Sequence, residues 1–93
     1  MQHGTLPEGL EFQRVTDEFT SDTVPGGLLR AHRVASGVWG LLTLHAGTLR
    51  FVWEDDPDAP LELTGGDRVV IEANRPHHVE PGTDARFQVA FYR

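Results

Sequence analysis

The stretch "TLRFVWE", residues 48–54, alternates strictly. Leu49, Phe51 and Trp53 fall on one side of an extended chain, and Thr48, Arg50, Val52 and Glu54 on the other. "RFQVAFYR", residues 86–93, sets Phe87, Val89 and Phe91 against Gln88, Ala90 and Tyr92 in the same way. Successive side chains of a strand point to opposite faces, so this period of two demands half-buried β-strands. "GVWGLLTL" and "RVVIEA" are more continuously apolar and read as central strands. Turn signals cut the chain at short intervals: "PGG" at 25–27, "SG" at 36–37, "HAG" at 45–47, "DDPDAP" at 55–60, "TGGD" at 64–67 and "PGTD" at 81–84. Short strands punctuated so regularly predict an all-β sandwich or closed barrel of about eight to ten strands with at most one short helical turn.

Ninety-three residues leave room for one domain, residues 1–93, with residues 1–9 either loose or joined to an edge strand at "LEFQRV". Fourteen acidic residues against eight basic ones give a net charge of -6. Neutralising phosphates needs clustered cations, so nucleic acid is not the expected partner. Every basic residue is arginine, and there is no cysteine. Disulfides, thiolate metal sites and cysteine nucleophiles are thereby excluded, and a metal ion would have to use His, Asp, Glu or water. No basic segment leads into an apolar run at "MQHGTLPEGLEF", and the apolar stretch around "VWGLLTL" is too short to span a bilayer. A soluble, cytoplasmic protein that contacts no membrane is the expectation. There is no P-loop, dinucleotide fingerprint or nucleophile elbow.

The chemistry then rests on histidine. "NRPHHVEP", residues 74–81, holds His77 and His78 between two prolines. Adjacent residues on a strand face opposite ways, so the two cannot both ligate one ion; one looks inward and the other out. Pro76 fixes its own φ and biases Arg75 towards extended geometry, which pre-orders the chain entering His77. His32 stands in "LLRAHRV", which reads as a strand. Two registers are open there. One turns Leu28, Arg30, His32 and Val34 inward and makes a polar pocket, since buried charge needs a partner. The other puts Leu29 and Ala31 inside and His32 in water. Trp39 and Trp53 are candidates to line a cavity, although aromatic strand residues are more often core. His45, at a turn, is expected to be exposed, and His3 lies in the loose N-terminal stretch. Glu54, Asp55, Asp56 and Asp58 lack the liganding period of a calcium loop and read as a solvated hairpin tip.

The order of segments resembles a small cupin. "GLLRAHRVASGVWGLLTLHAGTLRF" and "LTGGDRVVIEANRPHHVEP" are similar to the two cupin motifs. More narrowly, "TVPGGLLRAHRVASGVWG", "PHHVEP" and "FQVAFYR" resemble the small cupin-like family found at the N-terminus of some TehB-type tellurite-resistance proteins and as stand-alone YeaR-like proteins. The likeness runs from about Leu6 to Arg93. It implies a conical β-barrel of two antiparallel sheets with a pocket inside, and a link to tellurite, oxyanion or nitrosative stress. Of the four usual cupin ligand positions, His32 and His77 fill two. Val34 replaces the second histidine, and Val38, Trp39 and Gly40 occupy the glutamate region. Ala90 stands where relatives carry an acidic residue. The resemblance therefore implies an open site of His32 and His77, completed by water or by Glu80, taking one divalent metal: zinc first, with nickel or ferrous iron as substitutes. Two classes follow. One is a module that binds a metal ion or small ligand, with Arg30, Trp39 and Trp53 lining its pocket. The other is a metal-dependent oxygenase or isomerase. A binding module is favoured because inward acids and bases are scarce. Small barrels leave edges that need covering, so a homodimer is expected, with "LEFQRV" as its edge or exchanged strand.

Overall fold

A computed structural model describes residues 1–93 and contains nine strands and one 3₁₀ turn. The strands are β1 (Gln2–His3), β2 (Phe12–Val15), β3 (Phe19–Thr20), β4 (Trp39–Ala46), β5 (Thr48–Trp53), β6 (Leu61–Thr64), β7 (Arg68–Ile71), β8 (His77–Pro81) and β9 (Arg86–Tyr92). The larger sheet has the order β1-β7-β4-β9-β2, with β3 also paired to β9. The smaller sheet has the order β6-β5-β8. All pairs are antiparallel except β1 with β7. The all-β architecture expected from the alternation is present. The two sheets share no ladder, so hydrogen bonding does not close them into one barrel. No helix is long and apolar enough to cross a membrane.

The core lies between the sheets and follows the alternation. Leu42, Leu44, Phe87 and Val89 come from the larger sheet, and Leu49, Phe51, Leu63 and Val79 from the smaller one. Phe51 and Phe87 are fully buried, each contributing roughly 1.5–3 kcal/mol of apolar transfer energy. The chain passes from one sheet to the other at Gly47, between β4 and β5, where φ is +77°. A Cβ there would stand 2.4 Å from the Asp84 carbonyl oxygen, so the crossing needs both the left-handed backbone and the missing side chain of glycine.

Two expectations are corrected. Residues 1–9 are not uniformly loose: Gln2–His3 pairs parallel with Arg68–Val69, and the Met1 amine meets Asp67 at 2.9 Å. "LLRAHRV" is not a strand. Gly26–Leu29 winds into a 3₁₀ turn after Pro25, whose carbonyl accepts the Leu28 N–H at 3.0 Å. The chain then runs irregularly to an isolated bridge between His32 and His77.

Candidate functional site

That bridge builds the site. The His32 N–H donates to the His77 carbonyl and the His77 N–H to the His32 carbonyl, both at 2.7 Å. The pair clips the 25–34 segment onto the start of β8 and sets the two imidazoles edge to face, with centroids 5.5 Å apart at 86°. Both histidines line a cavity of about 270 Å³ between the larger sheet and the 25–34 segment, to which His77 is the one contribution of the smaller sheet. Its remaining walls are mainly apolar, including Leu28, Val34, Ile71, Val89 and Phe91. Gly40, on β4, helps to shape it: a Cβ there would press on Ile71 at 3.1 Å and Val89 at 3.4 Å.

His77 is 2% exposed and is the one polar residue among the buried set. Its ring stacks on Phe51 at 5.2 Å and meets the edge of Trp53 at 5.7 Å. Burial pushes its pKa below the usual histidine value, and the neighbouring His32 adds to that against the raising effect of its hydrogen bond to Arg75. The Arg75 carbonyl, 3.1 Å from Nδ1, can only accept, so Nδ1 carries the proton and Nε2 holds a free lone pair. No fully enclosed side-chain nitrogen or oxygen lacks a partner. Nε2, which has no partner, is therefore not fully enclosed, and His77 is among the residues that line the cavity.

His78 faces the other way. Nδ1 contacts Glu54 and Nε2 lies 2.8 Å from Glu80. Two carboxylate acceptors call for two N–H donors. The hydrogen bond to Glu54, reinforced by Glu80, raises the His78 pKa against partial burial. The resulting clamp ties β5 to β8 on the outer surface.

Of the residues singled out by sequence, the fold brings together His32 and His77; Trp53, half-buried against the edge of the His77 ring, lines neither cavity. Trp39 is half-buried at the head of β4 opposite Tyr92 and lines neither of the protein's two cavities. Arg30 is exposed and also lines neither, because the strand alternation that placed it beside His32 is absent. Glu80 shares the outer face of β8 with His78 and meets Arg50 of β5 there, so it cannot reach the cavity as a third ligand. The acidic tip is not simply solvated: Asp55 holds Arg75 through two guanidinium nitrogens, and Arg75 in turn covers Trp53 at 4.0 Å. Arg14, on β2, was missed. Its guanidinium lies 4.6 Å above the Phe91 ring at the cavity wall. Its neighbour across the ladder is Phe91, a pairing that no local pattern encodes.

The profile of the TehB-like domain family matches residues 14–89, most of the chain. No curated protein sequence matches. Among solved structures, an E. coli (strain K12) protein superposes with a TM-score of 0.87 at 21% identity, over 96% of this chain and 95% of that one. TehB from Haemophilus influenzae superposes with a TM-score of 0.82 at 27% identity, over 91% of this chain. The chain spans only 32% of the length of that TehB.

Proposed function

The chain belongs to the TehB-like domain family, and from that premise we propose that it is a small cupin-type binding module linked to tellurite or other oxyanion stress. It captures a small ligand in the cavity between its larger sheet and the 25–34 segment. One observation carries this reading: a mainly apolar cavity lined by a buried, neutral imidazole with an unpartnered nitrogen and by a second imidazole beside it. Ligand pockets generally combine apolar walls with a few convergent polar groups, and this one falls just below their usual range of about 300–1,000 Å³. His77 is held on four sides, by the bridge, Phe51, Trp53 and the Arg75 carbonyl, so its nitrogen is pre-oriented. The test is a thermal-shift survey of small molecules and oxyanions, tellurite among them, on the wild type and on Val89→Trp, whose indole fills the cavity. Stabilising compounds should lose their effect in the variant. Compounds that stabilise both proteins equally bind elsewhere and refute the reading.

A second reading makes the ligand a divalent metal, zinc first. Two imidazoles sharing a tetrahedral zinc have their centroids about 5 Å apart, and the observed 5.5 Å is compatible with that. No group of three or more His, Cys, Asp or Glu is placed so that it could hold a metal ion. The donor set thus suits an open two-imidazole site completed by water, not a closed one. His32 and His77 would hold the ion, which would supply Lewis acidity to a bound group. Zinc titration by calorimetry should show binding that His77→Ala abolishes and His78→Ala largely keeps. Equal loss in both variants rules this reading out.

A further inference from the structure

A second cavity of about 390 Å³ adjoins the first and shares Arg14, His32, Val34 and Phe91 with it. Its wall adds Gln13, Arg33 and Arg93. Three of the eight arginines of a chain with net charge -6 therefore meet at one mouth. Arg50, Arg75 and Arg86 are each paired with a carboxylate, whereas Arg14, Arg33 and Arg93 are paired with none. Arg33 is steadied by the Asn74 side-chain oxygen at 3.4 Å, and Arg14 by the face of Phe91. In so acidic a protein, unpaired guanidiniums gathered on one concave surface form a local attractor for anions. Guanidinium donors suit carboxylates and similar planar or tetrahedral oxyanion groups.

The two halves of the site have different characters. The mouth is cationic, and the interior is mainly apolar, with Thr16 and the two imidazoles as its uncharged polar groups. We infer that the ligand is a small amphiphilic organic anion, with its charged head on Arg14 and Arg33 and its apolar body against Ile71 and Val89. This inference rests on the binding-module reading above and adds the chemical class of the ligand.

The experiment uses three probes with one body: hexanoate, 1-hexanol and hexylammonium. Each is titrated into the full chain while the Ile71 and Val89 methyl signals are followed by NMR. Hexanoate should bind roughly tenfold more tightly than the other two, the factor expected of a charge-assisted hydrogen bond. Added salt should weaken hexanoate alone. The double variant Arg14→Gln/Arg33→Gln should bring hexanoate down to the level of hexanol and leave hexanol unchanged. If hexanol binds as well as hexanoate, or hexylammonium binds better, the inference fails while the binding module stands. If none of the three perturbs these methyls, the inference and the organic-ligand reading fall together.

Discussion

His77 and His78 are neighbours in sequence and should act in opposite senses on stability. Burial lowers the His77 pKa below the ordinary 6.5. The unfolded chain then accepts a proton that the native state refuses. The stability His77 lends is present above pH 6.5 and is lost as pH falls through its folded pKa. The Glu54 and Glu80 contacts raise the His78 pKa above 6.5. Its contribution is full below pH 6.5 and is lost as pH rises through its folded pKa. The two together give a stability maximum near pH 6.5, with each flank limited to a slope of about 1.36 kcal/mol per pH unit. The His78 clamp is two ion pairs, partly open to water, with side-chain exposures of 32% for Glu54 and 51% for Glu80. Such pairs contribute ~0.2–1 kcal/mol each. His78→Gln should therefore cost about 1 kcal/mol on the acid side of the maximum, a fall of roughly 4–8 °C in Tm for a chain of this size, and progressively less on the alkaline side. His77→Gln should show the reverse profile, its cost shrinking as pH drops. Urea unfolding followed by tryptophan fluorescence, in EDTA and across about pH 5.5–8.5, where histidines titrate, measures both differences. Because each variant is compared with the wild type, titrating groups that do not interact with the replaced histidine cancel. A His78→Gln cost that is flat with pH, or that grows towards alkaline pH, would refute the reasoning.

Three further outcomes are expected. Phe51→Ala should cost about 3–5 kcal/mol, since the ring is fully buried and stacks on His77; a loss under ~1 kcal/mol in urea unfolding contradicts the packing described. Gly47→Ala should cost at least ~1–3 kcal/mol from its left-handed backbone alone, with more from the clash at Asp84, and an unchanged unfolding midpoint would contradict that. The β2 edge exposes Phe12 at 57% and Val15 at 44%, and open apolar edges invite pairing. Light scattering should therefore report twice the 10.3 kDa chain mass, reverting to one chain on Phe12→Lys/Val15→Lys; a wild-type monomer excludes this assembly.

What could be read in advance was whatever depends on local periodicity. Leu49 and Phe51, and Phe87 and Val89, lie inside as their alternation requires. The opposite facing of His77 and His78 follows from the same rule. The failures have one physical origin, which is that pairing between distant segments overrides local pattern. "LLRAHRV" alternates like a strand, but Pro25 and two glycines start a turn, and only His32 finds a partner across. The clamp on His78 depends on the register that sets Val52 against His78, and so brings Glu54 within reach. The arginine mouth gathers residues 14, 33 and 93 through the β2–β9 ladder and the bridge loop. None of these pairings leaves a mark in composition or spacing.

The central place of β9 has a consequence for how the protein is made. Arg86–Tyr92 pairs with β4, β2 and β3, joining Val15 to Ala90 and Phe19 to Phe87. On a ribosome, β2 and β3 must wait for residues 86–92 to be synthesised before they have a partner. Such distant pairing makes folding slow, on the order of milliseconds to seconds. Val89 and Phe91 are also walls of the cavity. The pocket is thus completed only with the last ladder, and no partly folded chain carries it. A ligand captured there would bind the finished fold alone and hold the whole chain together by mass action.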